Sequence, residues 1–157
     1  MACSRLPSKR PCASRAGVPL EAESDPPAPS PVILFIDRDT WSHELDAALR
    51  AAGIAFERHR DHFAGDTEDV DWIAEIGRRG WVAVTRDQRI RRRPNELAAV
   101  RAASIHLFAL TSGNLSALQT AEVIQRAWPA IQRQVANTRP PAIWSVTRGG
   151  EVRLIKV

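Results

Sequence analysis

Val32-Ile33-Leu34-Phe35-Ile36, closed by Asp37-Arg38-Asp39, is the stretch that decides the fold. The run is apolar at every position, so both alternating faces of the strand must be covered, as in a parallel sheet packed between helices. A second stretch repeats the design: Trp81-Val82-Ala83-Val84-Thr85, then Arg86 and Asp87. In open parallel sheets, ligands bind beyond the carboxyl ends of the strands. Two buried strands that each end at an aspartate therefore direct attention to that edge.

Outward from these strands the chain alternates. Trp41, Leu45, Ala48, Leu49 and Ala52 recur at helical spacing until Gly53, and Ile54–Glu57 reads as a short second strand. Arg58–Thr67 reads as a polar loop carrying His59, His62 and Gly65. A helix starting near Glu68 or Asp69 buries Trp72, Ile73 and Ile76 and stops at Gly80. Asp87–Arg93 reads as a basic loop or short turn, and Pro94 suits the first position of the next helix, which runs to about Ala102. Ser104–Leu110 is the fourth strand, Thr111–Asn114 a polar turn, and the helix after it should be kinked or divided at Pro129. Ala142–Val146 and Glu151–Ile155 flank Gly149-Gly150 as a hairpin. The expected architecture is three-layer α/β/α, with a central parallel sheet, a core over residues 32–112, and a C-terminal helix and hairpin over residues 115–157.

The first 31 residues are of different character. They hold seven of the eleven prolines and no periodic apolar pattern, too little to offset the entropy of ordering, so this tail is expected to be disordered. It has no apolar centre of signal-peptide length. Both cysteines, Cys3 and Cys12, lie within it and build neither a disulfide framework nor a zinc site. That cysteine usage makes a reducing cytoplasm the default expectation, and with no apolar run of membrane-spanning length the chain is expected to be soluble. The net charge of +4 rests almost wholly on arginine, since Lys9 and Lys156 are the only lysines. A modest basic excess permits a polyanionic partner without requiring one.

The chemistry-bearing residues are acids. Asp37 and Asp87 end two strands expected to run side by side about 4.8 Å apart, and Asp69 opens the helix leading into the second of them. Carboxylates crowded to about 4 Å repel by roughly 4 kcal/mol per pair at an effective dielectric of 20, so they take up protons or bind a cation. An all-oxygen set favours Mg²⁺ or Mn²⁺ over zinc. The competing reading of each aspartate is a helix cap or turn residue.

The order FID (Phe35–Asp37), DVDW (Asp69–Trp72), VTRD (Val84–Asp87) resembles the PIN-domain ribonucleases, in particular the small PIN-like, VapC-type toxins of bacterial toxin–antitoxin pairs. The resemblance covers about Val32–Leu110 and maps the family's catalytic, metal-binding acids onto Asp37, Asp69 and Asp87. It implies a divalent ion, Mg²⁺ or Mn²⁺, and RNA hydrolysis by a metal-activated water leaving a 5′-phosphate and a 3′-hydroxyl. It also implies a cognate antitoxin protein as partner, and a homodimer. Larger members carry a further glutamate, for which Glu44, Asp71 and Asp39 are the candidates here.

Arg86, Arg89, Arg91, Arg92 and Arg93 follow the VTRD strand. They read as a phosphate clamp, as a docking surface for an acidic antitoxin segment, or as a solvated loop. His59 and His62 lack a third ligand at metal spacing and read as loop structure or substrate contacts. Trp144 is the one aromatic with a partner or a base as an alternative to packing. A second enzyme reading comes from Ile33–Thr40, whose D-x-D-x-T is similar to the nucleophile motif of haloacid-dehalogenase-like phosphatases, with Asp37 phosphorylated and Asp39 as acid/base. That chemistry wants a downstream lysine, and only Lys156 follows. A third is a catalytically inactive PIN-like binding module.

Overall fold

The computed structural model describes residues 30–156. The expected tail over residues 1–31 lies almost wholly outside them. The described elements are β1 (Leu34–Ile36), α1 (His43–Ala51), β2 (Phe56–Arg58), α2 (His59–His62), α3 (Asp69–Arg79) and β3 (Val82–Thr85), then α4 (Pro94–Ala103), β4 (His106–Leu110), α5 (Ala117–Asn137), β5 (Ala142–Val146) and β6 (Val152–Lys156). A 3₁₀ turn, Gln88–Arg91, stands between β3 and α4. The sheet order is β2-β1-β3-β4-β5-β6, with only β6 antiparallel.

The period of two along each strand assigns side chains to the two helical layers. Leu34 and Ile36 of β1, Val82 and Val84 of β3, and Phe108 and Leu110 of β4 pack with Leu45 and Leu49 of α1 and Val123, Ile124, Ala127 and Ile131 of α5. The intervening Phe35, Ala83 and Leu107 pack with Trp72, Ile73 and Ile76 of α3 and Val100 of α4. Burial on both faces explains the unbroken apolar run. Phe35 anchors the second layer, stacked on Trp72 at 5.2 Å between ring centroids and meeting Phe63 edge-on at 5.8 Å.

Local signals set the ends. Ser42 caps α1, its side chain accepting from the Leu45 N–H. Gly80 closes α3 in the left-handed region at φ 70°, where glycine is the least strained residue. Ser116 and Gln119 form a reciprocal capping box at the start of α5. Gly150, at φ 84°, lies so close to α5 that an added Cβ would stand 2.7 Å from the Arg126 Cβ.

Two expectations are corrected. Arg58–Thr67 is not a plain polar loop: Arg58 ends β2, and His59–His62 form one helical turn that buries His59 against Phe35 and Phe63. Nor does Pro129 divide its helix, because α5 is continuous from Ala117 to Asn137. Its buried stripe, Thr120, Ala121, Val123, Ile124, Ala127 and Ile131, spans both sides of the proline. Packing against one surface keeps the helix continuous across the missing N–H.

The α3–α4 contact yields a stability test. A Cβ at Gly77 would sit 2.6 Å from the Ala103 carbonyl oxygen, whereas one at Gly65 would meet nothing within 4 Å. Gly77→Ala should therefore lower the melting temperature, the overpacking of about 1–3 kcal/mol exceeding the roughly 1 kcal/mol gained in helix propensity. Gly65→Ala should leave it nearly unchanged in the same thermal melt.

Candidate active site

The alternation that builds the core also aims the acids. Asp37 lies two residues past Phe35, and Thr85 two past Ala83, so both continue onto the α3/α4 face of the sheet. There Thr85 Oγ1 donates to Asp37 Oδ2 at 2.9 Å, and the Arg38 N–H donates to Asp37 Oδ1 at 2.6 Å. Asp37 is only 7% exposed. Burial raises its pKa to about 6; the hydrogen bonds from Thr85 and Arg38 oppose that rise, and the charges of Asp39 and Asp69 add to it.

Asp69 is the first residue of α3, where the free N–H groups and helix dipole favour a carboxylate. The core fixes its direction: Trp72 Nε1, on the indole that stacks on Phe35, donates to Asp69 Oδ1 at 3.0 Å. Asp87 precedes the 3₁₀ turn, and its Oδ1 accepts from the Arg89 N–H at 2.8 Å. It is thus the cap that one reading of the sequence proposed, while its other oxygen faces Arg93. Arg93 gathers the set. Its Nη1 lies 3.7 Å from Asp69 Oδ2, 3.7 Å from Asp87 Oδ2 and 3.2 Å from Glu96 Oε1. Arg93 is the natural counter-charge of these acids, which raise its pKa, the Glu96 hydrogen bond foremost.

Glu96 was not among the candidates. It lies in the first turn of α4, three residues past Arg93, on the helical layer that also carries Asp69. Because helices in such a sheet run opposite to the strands, their first turns gather at the carboxyl edge; an acid in a first turn was the available signal, and the layer it belongs to was not. Glu44 also lies in a first turn, but α1 packs on the opposite face, and Glu44 is exposed. Asp71 is exposed on α3, and Asp39 is exposed beside Arg38 at 3.5 Å.

Two cavities flank the acids. One, of about 350 Å³, is lined by Arg38, Asp66, Thr67, Glu68, Asp69 and Glu96, among others. The other, of about 480 Å³, is lined by Asp39, Arg86, Asp87, Arg89 and Arg93. Of the arginines singled out in sequence, Arg86, Arg89 and Arg93 therefore reach the acidic edge. Arg91 instead bonds Gln88 at 3.4 Å, and Arg92 is exposed. His62 pairs with Glu57 at 2.7 Å, and His59 is buried, so the two histidines do not form a joint ligand pair. Trp144 is 3% exposed and donates to His106 Nδ1 at 3.2 Å, which makes it a packing residue.

Among the described residues, no three acids, histidines or cysteines already stand at metal-binding spacing. Three carboxylates nonetheless converge on the single Arg93 nitrogen. This all-oxygen surround of a positive charge fits a hard divalent cation in its donor chemistry.

Residues 32–112 match the family model described as a PIN like domain. The chain belongs to the PIN-like domain family. A curated protein of Mycobacterium tuberculosis (strain ATCC 25618 / H37Rv), named "Putative ribonuclease VapC45", is 29% identical over 127 residues, covering 78% of this chain and 91% of that protein. No solved structure matches the chain. The matched PIN-like region contains Asp37, Asp69, Asp87, Arg93 and Glu96.

The buried charge of Asp37 yields a pH test. Its pKa rises on folding from 3.8 to about 6, so the cost of ionising it is absent below pH 3.8, grows between the two values and is complete above 6. Asp37→Asn removes that charge and keeps an oxygen for Thr85 while giving up the bond from the Arg38 N–H, which takes part of the gain back. Without metal, it should be more stable than the parent at pH 7 by up to about 3 kcal/mol. Denaturant melts should show the difference shrinking as pH falls toward 4.

Proposed function

We propose that this PIN-like domain is a divalent-metal-dependent endoribonuclease and the toxin of a toxin–antitoxin pair. The observation that carries the reading is the acid set at one sheet edge: Asp37 buried against Thr85, with Asp69, Asp87 and Glu96 around the Arg93 nitrogen. Family membership and the name of the mycobacterial relative support the nuclease part. Asp37, Asp69 and Asp87 would hold Mg²⁺ or Mn²⁺, with Glu96 as the fourth oxygen donor. When bound, the ion supplies a water of lowered pKa and neutralises charge developing on the phosphate.

The chain's own residues do the rest. Thr85 and the Arg38 N–H fix the orientation of the Asp37 carboxylate, and its burial without a counter-charge of its own favours taking up a cation there. Arg86 is braced by its contact with the Gly113 carbonyl at 2.9 Å and, with Arg89, is assigned to the RNA phosphates flanking the cut. With a cation among its carboxylate partners, Arg93 would be available to the RNA backbone. Arg91 and Arg92 extend the basic surface, toward RNA or an acidic antitoxin segment. A homodimer and a cytoplasmic setting belong to this reading; no described helix is long and apolar enough to cross a membrane.

The phosphatase reading is not favoured. Lys156 ends antiparallel β6, with three strands between it and β1, and pairs beside Ile143 toward the amino end of β5. Its backbone position is thus away from the edge that carries Asp37.

Incubating the full chain with single-stranded RNA should give cleavage that needs Mg²⁺ or Mn²⁺ and stops with EDTA. Asp37→Asn and Asp87→Asn should each lose at least about 100-fold in rate, the scale expected when a group stabilising the transition state is removed. Cleavage that persists in EDTA, or in both folded variants, would refute the reading. Expression should also arrest growth, with relief from a co-expressed antitoxin; harmless expression of an RNA-cleaving protein would refute the toxin part alone.

A further inference from the structure

A third cavity adjoins the acidic edge but belongs to none of the acids. It measures about 240 Å³ and is lined by Arg38, Trp41, His59 and Arg60. That is below the roughly 300–1,000 Å³ of ordinary small-molecule pockets and suits a single planar ring. Arg38 forms a wall of this cavity and of the one containing Asp69 and Glu96. Its backbone N–H also holds Asp37, and its guanidinium is tied to the Gly65 carbonyl. The two cavities are therefore neighbours across one anchored side chain.

Trp41 is fixed in place. Its N–H bonds the Asp37 carbonyl at 3.1 Å, which closes the turn after β1. Its indole Nε1 donates to Asp46 Oδ2 at 3.2 Å, and Asp46 is itself held by Arg50 Nε at 2.6 Å and Arg58 Nη1 at 3.4 Å. His43 meets the indole edge-on at 4.7 Å. The guanidinium groups of Arg60, at 5.1 Å, and Arg58, at 5.7 Å, lie over the ring, which is partly buried against the core layer of α1 and α5. Arg60 is exposed, so this cation can lift from the ring or remain over a second planar group. Buried His59 closes the inner side.

We propose that this cavity is a nucleobase subsite: Trp41 stacks one unpaired base of the RNA beside the scissile phosphate, and Arg38 and Arg60 hold the phosphates that flank it. The proposal rests on the ribonuclease reading of the adjacent acids. A rigid aromatic plane bordered by guanidinium groups is how proteins take up unpaired bases, whose π-faces are free only outside a duplex. An acidic peptide would use the arginines but has no need of the indole plane. The subsite accordingly selects single-stranded RNA and places a defined base next to the cut.

The test is binding of a labelled single-stranded oligonucleotide to the full chain, with Ca²⁺ replacing Mg²⁺ so that affinity is read apart from cleavage. Trp41→Ala should weaken binding about 10- to 100-fold, the loss typical of one stacked base, and Trp41→Phe should restore most of it. One abasic nucleotide, moved along the oligonucleotide, should reproduce the loss at one position with the parent chain and add nothing to Trp41→Ala. Equal affinity of parent and folded Trp41→Ala would overturn the subsite. So would a Trp41→Ala loss that no abasic position reproduces, which marks a structural role, or a loss confined to an oligoglutamate peptide, which marks a protein-docking site. Should Trp41→Ala unfold, the abasic series on the parent and the Trp41→Phe comparison decide alone. Failure of the ribonuclease reading is seen separately, as absence of Mg²⁺-dependent cleavage by the parent.

Discussion

The site depends on one contact, the hydrogen bond from Thr85 to Asp37 across β1 and β3. Parallel pairing of Phe35 with Ala83 and Ile36 with Val84 sets the register. A slip of one residue would turn Asp37 toward the α1/α5 layer and away from Asp69 and Glu96. Register is held by burial on both sides, since Leu34, Phe35 and Ile36 are each 0% exposed. The hydrophobic core therefore acts on the chemistry through geometry. It holds an ionisable group in a place that solvation would oppose.

A second line runs from the same strand into α3. Phe35 stacks on Trp72, and Trp72 holds Asp69 through its indole N–H. An aromatic core residue and an acid at the edge are thus one mechanical unit. Arg93 completes the arrangement from the other side by offering one positive nitrogen to three carboxylates. This is a workable balance for an open edge: exposed ion pairs are individually weak, so a doubly charged ion can displace the guanidinium at small cost. On the proposed reading, the displaced arginine would then be available to a phosphate.

Much of this was legible in the sequence because apolar runs, caps and strand-ending acids are local signals. Val32–Ile36 and Trp81–Thr85 announced two-sided burial, Gly80 and Pro94 marked helix ends, and Gly149-Gly150 marked the hairpin. What escaped depended on the layer a helix packs on. Glu44 and Glu96 both occupy first turns, and nothing in either segment says which helix shares the face of Asp69. Arg93 was one arginine among five, and its role comes from tertiary position alone. The turn at His59–His62 was read as loop because its burial is owed to the distant Phe35 and Phe63. At Pro129 the expected division did not occur, because packing along the whole of α5 outweighed the local rule.

The central claim is that these acids form one cation site. Titrating the full chain with Mn²⁺ at pH 7.5, followed by electron paramagnetic resonance of the free ion, measures it without any substrate. The account predicts saturable binding that Mg²⁺ competes away and that Asp37→Asn, Asp69→Asn and Asp87→Asn each weaken strongly, while Asp71→Asn does not. Binding unchanged in the three folded variants, or no saturable binding in the parent, would contradict it.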